Sequence, residues 1–152
     1  MPEQSPTPEA MLFAFFTEVG IIAQLSRALF EARLPHGFTL PQFSVLNHLV
    51  RVRDGRTPLD LARAFQVPKT SMTHSLAVLE RHGLVEMRPN ARDGRSKCVF
   101  LTEAGKAFRL QAISSLMPDM ATIAAAYPAE RLAAMLPELS NLRLAMDAMR
   151  EA

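Results

Sequence analysis

The chain has 152 residues, 49% of them apolar and 21% charged, with a net charge of +2. These proportions exclude an intrinsically disordered chain and leave enough apolar surface for one core without covalent staples. A single cysteine, Cys98, excludes an intramolecular disulfide framework, and His36, His48, His74 and His82 lack the spacing of a zinc site.

No metal and no cofactor is therefore expected. The N-terminal MPEQSPTPEA is polar, proline-rich and acidic, unlike a signal peptide. The apolar run from Met11 is broken by Thr17, Glu18 and Gln24, too soon for a membrane span, so a cytoplasmic protein is the default. Charge is unevenly placed: residues 51–97 hold ten Lys/Arg against five acids, whereas the remainder holds seven bases and ten acids. A basic middle suits a polyanion partner, and a plain solvated face explains the charge equally well.

Residues 1–8 read as a loose, proline-containing arm. From Met11, Leu12, Phe15, Phe16, Val19 and Ile22 recur at helical spacing, giving a long first helix that ends before Pro35. Its early part is apolar on more than one side, which implies more than one packing partner. After a connector capped by Thr39, a helix over 41–52 turns Phe43, Val45, Leu46, Leu49 and Val50 inward.

Thr57-Pro58-Leu59-Asp60 is a helix start, with Asp60 close to a capping-box position. The helix over 58–65 draws its buried face from Leu59, Leu61, Ala62 and Phe65. Gln66-Val67-Pro68 forms a turn. A second helix over 69–82 buries Met72, Leu76 and Leu79 and stops at Gly83. That stripe leaves Lys69, Thr70, Ser71, Thr73, His74 and Ser75 outward, a donor-rich face suited to base edges and phosphates.

Residues 84–88 and 98–101 read as paired strands around the loop PNARDGRSK. The loop is basic and turn-rich, and would reach a minor groove, with Asp93 aiming Arg95 by a charge-assisted bond. Thr102-Glu103 starts a helix to about Met117, which Pro118 kinks or restarts. A last helix from Pro128 carries Leu132, Met135, Leu136, Leu139, Leu142, Met146 and Met149, with Pro137 bending or interrupting it. The surplus apolar surface of these C-terminal helices, with that of the first, suits a dimer interface. A self-contained helical cap on a monomer is the plainer alternative.

The order helix, turn, helix, strand, basic loop, strand is that of a winged helix-turn-helix. The fold class read here is mainly α with a small β-hairpin wing: residues 41–102 as the DNA-binding lobe, and 9–34 and 103–152 as dimerisation helices of a single domain. With FTLPQF at 38–43, LARAFQVPKTSMTHSLAVLERHGLVEMRPNARDGRSK at 61–97 and LTEAGK at 101–106, the chain resembles the MarR family of bacterial transcription regulators over nearly its whole length. The resemblance implies a homodimer on a pseudo-palindromic operator, usually a repressor, often with a ligand where the dimer interface meets the DNA-binding lobe. It places Ser71, Thr73 and His74 at base edges, Arg95 in the minor groove and Asp93 as its partner. Three positions depart from the family pattern: Pro68 replaces a capping Ser, Thr70 a common proline, and Ser75 a frequent apolar residue.

The charges suggest Arg63, Lys69, Arg88, Arg92 and Lys97 as phosphate contacts. Phe16, Gly20, Ala23, Phe43 and Leu116 are candidates to line an apolar or aromatic effector site, with Arg27 or His36 as a clamp, or else are plain core. Cys98 is read as a half-buried inert thiol. A redox-responsive regulator using Cys98 and a winged helix devoted to protein contact are the alternatives. No nucleophile-base pair, phosphate loop or acid pair points to an enzyme.

Overall fold

The computed structural model describes residues 6–151. It holds six helices and one hairpin: α1 Pro8–Arg33, α2 Leu40–Arg51, α3 Pro58–Phe65, α4 Lys69–Arg81, β1 Val85–Pro89, β2 Lys97–Leu101, α5 Glu103–Ala126 and α6 Ala129–Glu151. The chain divides into two compact units, residues 1–115 and 116–152, with α5 running from the first into the second.

In the first unit, the main core gathers Val45, Leu46 and Leu49 of α2, Leu61 and Ala62 of α3, Met72, Leu76 and Leu79 of α4, and Val85, Val99 and Leu101 of the hairpin. Leu46, Leu61 and Leu79 are completely buried, each contributing about 1.5–3 kcal/mol relative to an exposed side chain. Strand register explains the hairpin's share. Val85 pairs with Leu101 and Met87 with Val99, so these four point inward, while Glu86, Arg88, Cys98 and Phe100 occupy the other face. Against expectation, Val50 and Leu59 are exposed, because each lies off its helix's inward stripe. Gln42 of α2, the one buried polar residue among the described residues, accepts the Thr39 backbone N–H at 3.0 Å and so closes the start of α2.

The caps of α3 and α4 differ. Thr57 Oγ1 accepts the Asp60 N–H at 3.1 Å, and Asp60 accepts the Thr57 N–H at 3.3 Å, so Asp serves where a capping box usually has Glu or Gln. Side-chain hydrogen bonding with Thr57 is the main cause holding the Asp60 carboxyl below its ordinary pKa, with the Thr57 backbone N–H and the Arg56 and Arg63 charges adding to it. Pro68, by contrast, gives α4 no side-chain cap.

The hairpin is braced at both ends. Val99 donates to Arg56 O at 2.8 Å and Gly55 to Val99 O at 3.0 Å, so the α2–α3 connector adds one bridge to β2. Asp54 accepts the N–H groups of Gly55 and Leu101, both at 3.0 Å. At the other end, Thr102 donates through Oγ1 to Gly83 O and accepts the Gly105 N–H. A Cβ on Gly105 would sit 2.0 Å from Leu84 O, so the close approach of α5 to the hairpin demands glycine.

Several boundaries differ from the sequence reading. Thr7 caps α1, which begins at Pro8, and the first five residues of the expected arm lie outside the described residues. α5 continues through Pro118 and α6 through Pro137, so neither proline ends its helix. A proline there removes one backbone bond, and the flanking Ala- and Leu-rich turns carry the helix past it. By length and composition α1 is also apolar enough to cross a membrane, because Thr17 and Gln24 interrupt its apolar character less than expected.

α1 buries no residue, and Phe13 is 77% exposed. In the second unit, α6 leaves Leu132, Met135, Leu136, Leu139, Met146 and Met149 exposed. Leu79→Ala is expected to lower unfolding free energy in urea by about 2–5 kcal/mol. Thr57→Ala is expected to lower it by about 1 kcal/mol, and a larger loss for the cap than for the core would contradict this packing.

Candidate nucleic-acid interface

Burial of Met72, Leu76, Val78 and Leu79 fixes the rotation of α4. Lys69, Thr70, Ser71, Thr73 and His74 are consequently exposed along its first half, and Ser75 is half-buried. Because Pro68 offers no side-chain cap, the first-turn backbone N–H groups are open donors at the positive end of the helix dipole. Hydroxyls, an ammonium, an imidazole and free amides therefore share one exposed surface, a set that matches anionic and hydrogen-bonding partners.

The hairpin tip is built by short side-chain turns. Asn90 Oδ1 accepts the Arg92 N–H and Asp93 Oδ1 the Arg95 N–H, each at 3.0 Å, while Asn90 Nδ2 donates to Ser96 Oγ at 2.9 Å. Asp93 thus shapes the turn through the main chain. Its expected bond to the Arg95 guanidinium is not formed among the described residues; Asp93 Oδ1 accepts the Arg95 backbone N–H instead. Arg92, Arg95 and Lys97 are exposed. Arg88 differs: Glu86 pairs with its guanidinium, which also lies 4.3 Å over the Phe100 ring. Its charge is already engaged within the protein. Arg63 is exposed at the end of α3.

Of the expected effector residues, four lie in the first unit and one in the second. Phe43 is buried with Leu34 and Ala112, Phe16 and Gly20 are exposed on α1, and Leu116 belongs to the second unit. Ala23 alone of the five lines a cavity of about 660 Å3 between α1, α2, α3 and α4. Leu40, Phe65, Val67 and Met72 supply its apolar walls, and Arg27, Ser71 and His74 its polar ones. Ser71 and His74 are exposed as expected and also border this cavity, a position that helix periodicity alone does not reveal. Arg27 is held by Glu31 at 3.0 Å, and the same Glu31 oxygen accepts the Leu40 N–H. His36 is exposed and does not line it.

Two further contacts had no local signal. Arg109 Nε donates to Asn47 Oδ1 at 2.9 Å, tying α5 to α2 across 62 positions. His48 packs on Phe65 with ring centroids 5.2 Å apart, and its Nε2 is buried without a hydrogen-bond partner. Cys98 is half-buried on the outward face of β2. No cluster of metal-binding side chains occurs among the described residues.

An exposed polar helix beside a braced basic hairpin defines a winged helix-turn-helix protein. Residues 36–96 match the model of the MarR family. The transcriptional activatory protein BadR of Rhodopseudomonas palustris is 38% identical over 72 residues, 46% of this chain and 41% of that protein. The match therefore spans about two fifths of the relative's length. The transcriptional regulator BldR of Sulfolobus solfataricus superposes with a TM-score of 0.77 at 21% identity, over 90% of this chain and 99% of that one. MarR of E. coli, in its apo form, superposes at 0.69 with 25% identity, over 91% and 98%. Residues 36–96 thus match the MarR family model, and the fold around them is that of winged-helix transcription regulators.

Burial pushes the His48 pKa below its ordinary 6.5, and the Arg56 charge adds to the effect. The unfolded chain then binds more protons than the folded one between the lowered value and 6.5. Stability from the neutral ring is complete above that interval and declines as pH falls through it. The melting temperature is expected to drop between about pH 7.5 and pH 5.5, with a shallower drop in His48→Gln. Parallel curves for the two proteins would contradict the assignment.

Proposed function

We propose that this protein is a DNA-binding transcriptional regulator acting as a homodimer on a pseudo-palindromic operator. The observation that carries the reading is the exposed face of α4 from Lys69 to His74, set beside a hairpin whose Arg92, Arg95 and Lys97 are exposed. Ser71, Thr73 and His74 read base edges in the major groove, and Arg95 enters the adjacent minor groove. Arg63, Lys69, Arg92 and Lys97 meet phosphates. Arg88 joins them only by giving up Glu86.

A second copy covers the apolar residues of α1 and, separately, those of α6, whose exposure is otherwise unfavourable in water. This use of α1 also answers its membrane-like composition, since partner burial satisfies the same apolar surface. The cavity beneath α4 takes a small apolar or aromatic effector. A ligand that binds better when α4 is displaced lowers operator affinity by its preference between the two states. An effector carboxylate would have to compete with Glu31 for Arg27.

Repression by operator occupancy is the primary reading. Activation is the second, favoured by the name of BadR. A reporter fused to the bound promoter separates them by the sign of the change when the protein is removed.

The binding test is a gel shift on DNA upstream of the protein's own gene. Arg95→Ala is expected to weaken binding by roughly 1–3 kcal/mol, about fivefold to 150-fold, with unchanged dimer mass in solution. Lys97→Ala should lower the slope of log K against log salt by about 0.9. Wild-type affinity in Arg95→Ala would overturn the minor-groove role.

A further inference from the structure

We propose that a second cleft, at the root of the hairpin, is a phosphate-binding site built by Arg53, Arg56 and Arg92. The cleft has a volume of about 450 Å3 and opens between the α2–α3 connector and the start of the wing loop. Arg53 and Arg56 come from the connector and Arg92 from the loop, with Asn90 beside them and Cys98 and Phe100 forming the strand wall.

Three arginines line one concavity against a single acid, Asp60. That acid is already engaged: it accepts the Thr57 N–H and forms an ion pair with Arg56 Nε at 4.0 Å, too long for a hydrogen bond, so it does not neutralise Arg53 and Arg92. Arg56 Nε is itself buried and unsatisfied, a costly state for a charged donor. Among the described residues, the Arg53 and Arg92 guanidiniums make no ion pair or hydrogen bond. Like charges held together in a half-enclosed space call for an anion, and planar guanidinium forks match phosphate oxygens.

The site is also held in shape. The Arg56 backbone is bridged to Val99, and the Arg92 N–H is fixed by Asn90. Occupancy would join the connector to the wing loop, so the ligand sets the wing's position relative to the body of its own unit. The phosphate can belong to a free phosphorylated small molecule or to a DNA backbone, since both present the same oxygens. Neither Arg53 nor Arg56 is needed for the α4 and Arg95 contacts proposed above, and binding of a free phosphate requires no operator.

Cys98 is the chain's one cysteine and lines the cleft, so its alkylation reports occupancy without added probes. The full-length protein is treated with iodoacetamide at constant ionic strength, with sodium pyrophosphate, with a DNA duplex, or with chloride alone. Modification is followed by mass spectrometry. Pyrophosphate is expected to slow alkylation about tenfold at ten times its dissociation constant, and Arg53→Gln and Arg56→Gln should each abolish the protection. Arg53→Gln alters an exposed connector residue, and circular dichroism verifies that both variants are folded. Protection by the duplex alone, lost in the same variants, assigns the site to backbone phosphate. Protection by neither, or undiminished protection in folded Arg53→Gln, overturns the proposal. Failure of operator binding with pyrophosphate protection intact would overturn the DNA reading and leave this site standing.

Discussion

Burial of one face of α4 is the constraint on which the interface depends. Met72, Leu76 and Leu79 enter a core shared with α2, α3 and both strands, and that core admits a single rotation of the helix. At about 1.5–3 kcal/mol per fully buried side chain, turning α4 enough to hide Ser71 or Thr73 would expose several of these residues and bury unpaired hydroxyls. Solvent separation of apolar and polar faces thus does the aiming. The same core takes Val85, Val99 and Leu101 from the hairpin, so helix and wing are positioned by one set of contacts.

Three smaller devices stiffen that arrangement. Asp54 and the Arg56–Val99 bridge secure the connector to β2, Thr102 joins the α4–β1 corner to the start of α5, and Gly105 permits close backbone approach. The cavity under α4 lies against this rigid assembly and is partly lined by Ser71 and His74. A molecule bound there would act on residues that also face outward. Under the proposed function, that shared use of α4 would supply a short physical route from effector to DNA contact.

Much of the fold was legible in the sequence because local rules agreed with one another. The cap at Thr57, the stripe Met72–Leu76–Leu79, the stop at Gly83 and strand alternation each specify an element within a few residues. Pro118 and Pro137 were harder, since proline acts against a helix locally while its neighbours favour one. Long-range features left little trace: nothing near Arg109 identifies Asn47, and nothing near Arg56 announces a bridge to Val99. The candidate effector residues were harder to read for a related reason. Apolar periodicity marks Phe16 and Phe43 as helix-face residues, but cannot tell a core-facing side chain from one beside a cavity. Charge counting similarly found the basic middle without distinguishing engaged Arg88 from exposed Arg95.

Hydroxyl-radical footprinting of the protein on its own upstream DNA tests most directly whether the faces positioned by this core read an operator. Two related protected tracts should appear, centred about one helical turn, 34–36 Å, apart, each extending into a flanking minor groove, and the flanking protection should vanish in Arg95→Ala. Uniform protection without a repeated interval, or flanking protection that survives in Arg95→Ala, would contradict the account.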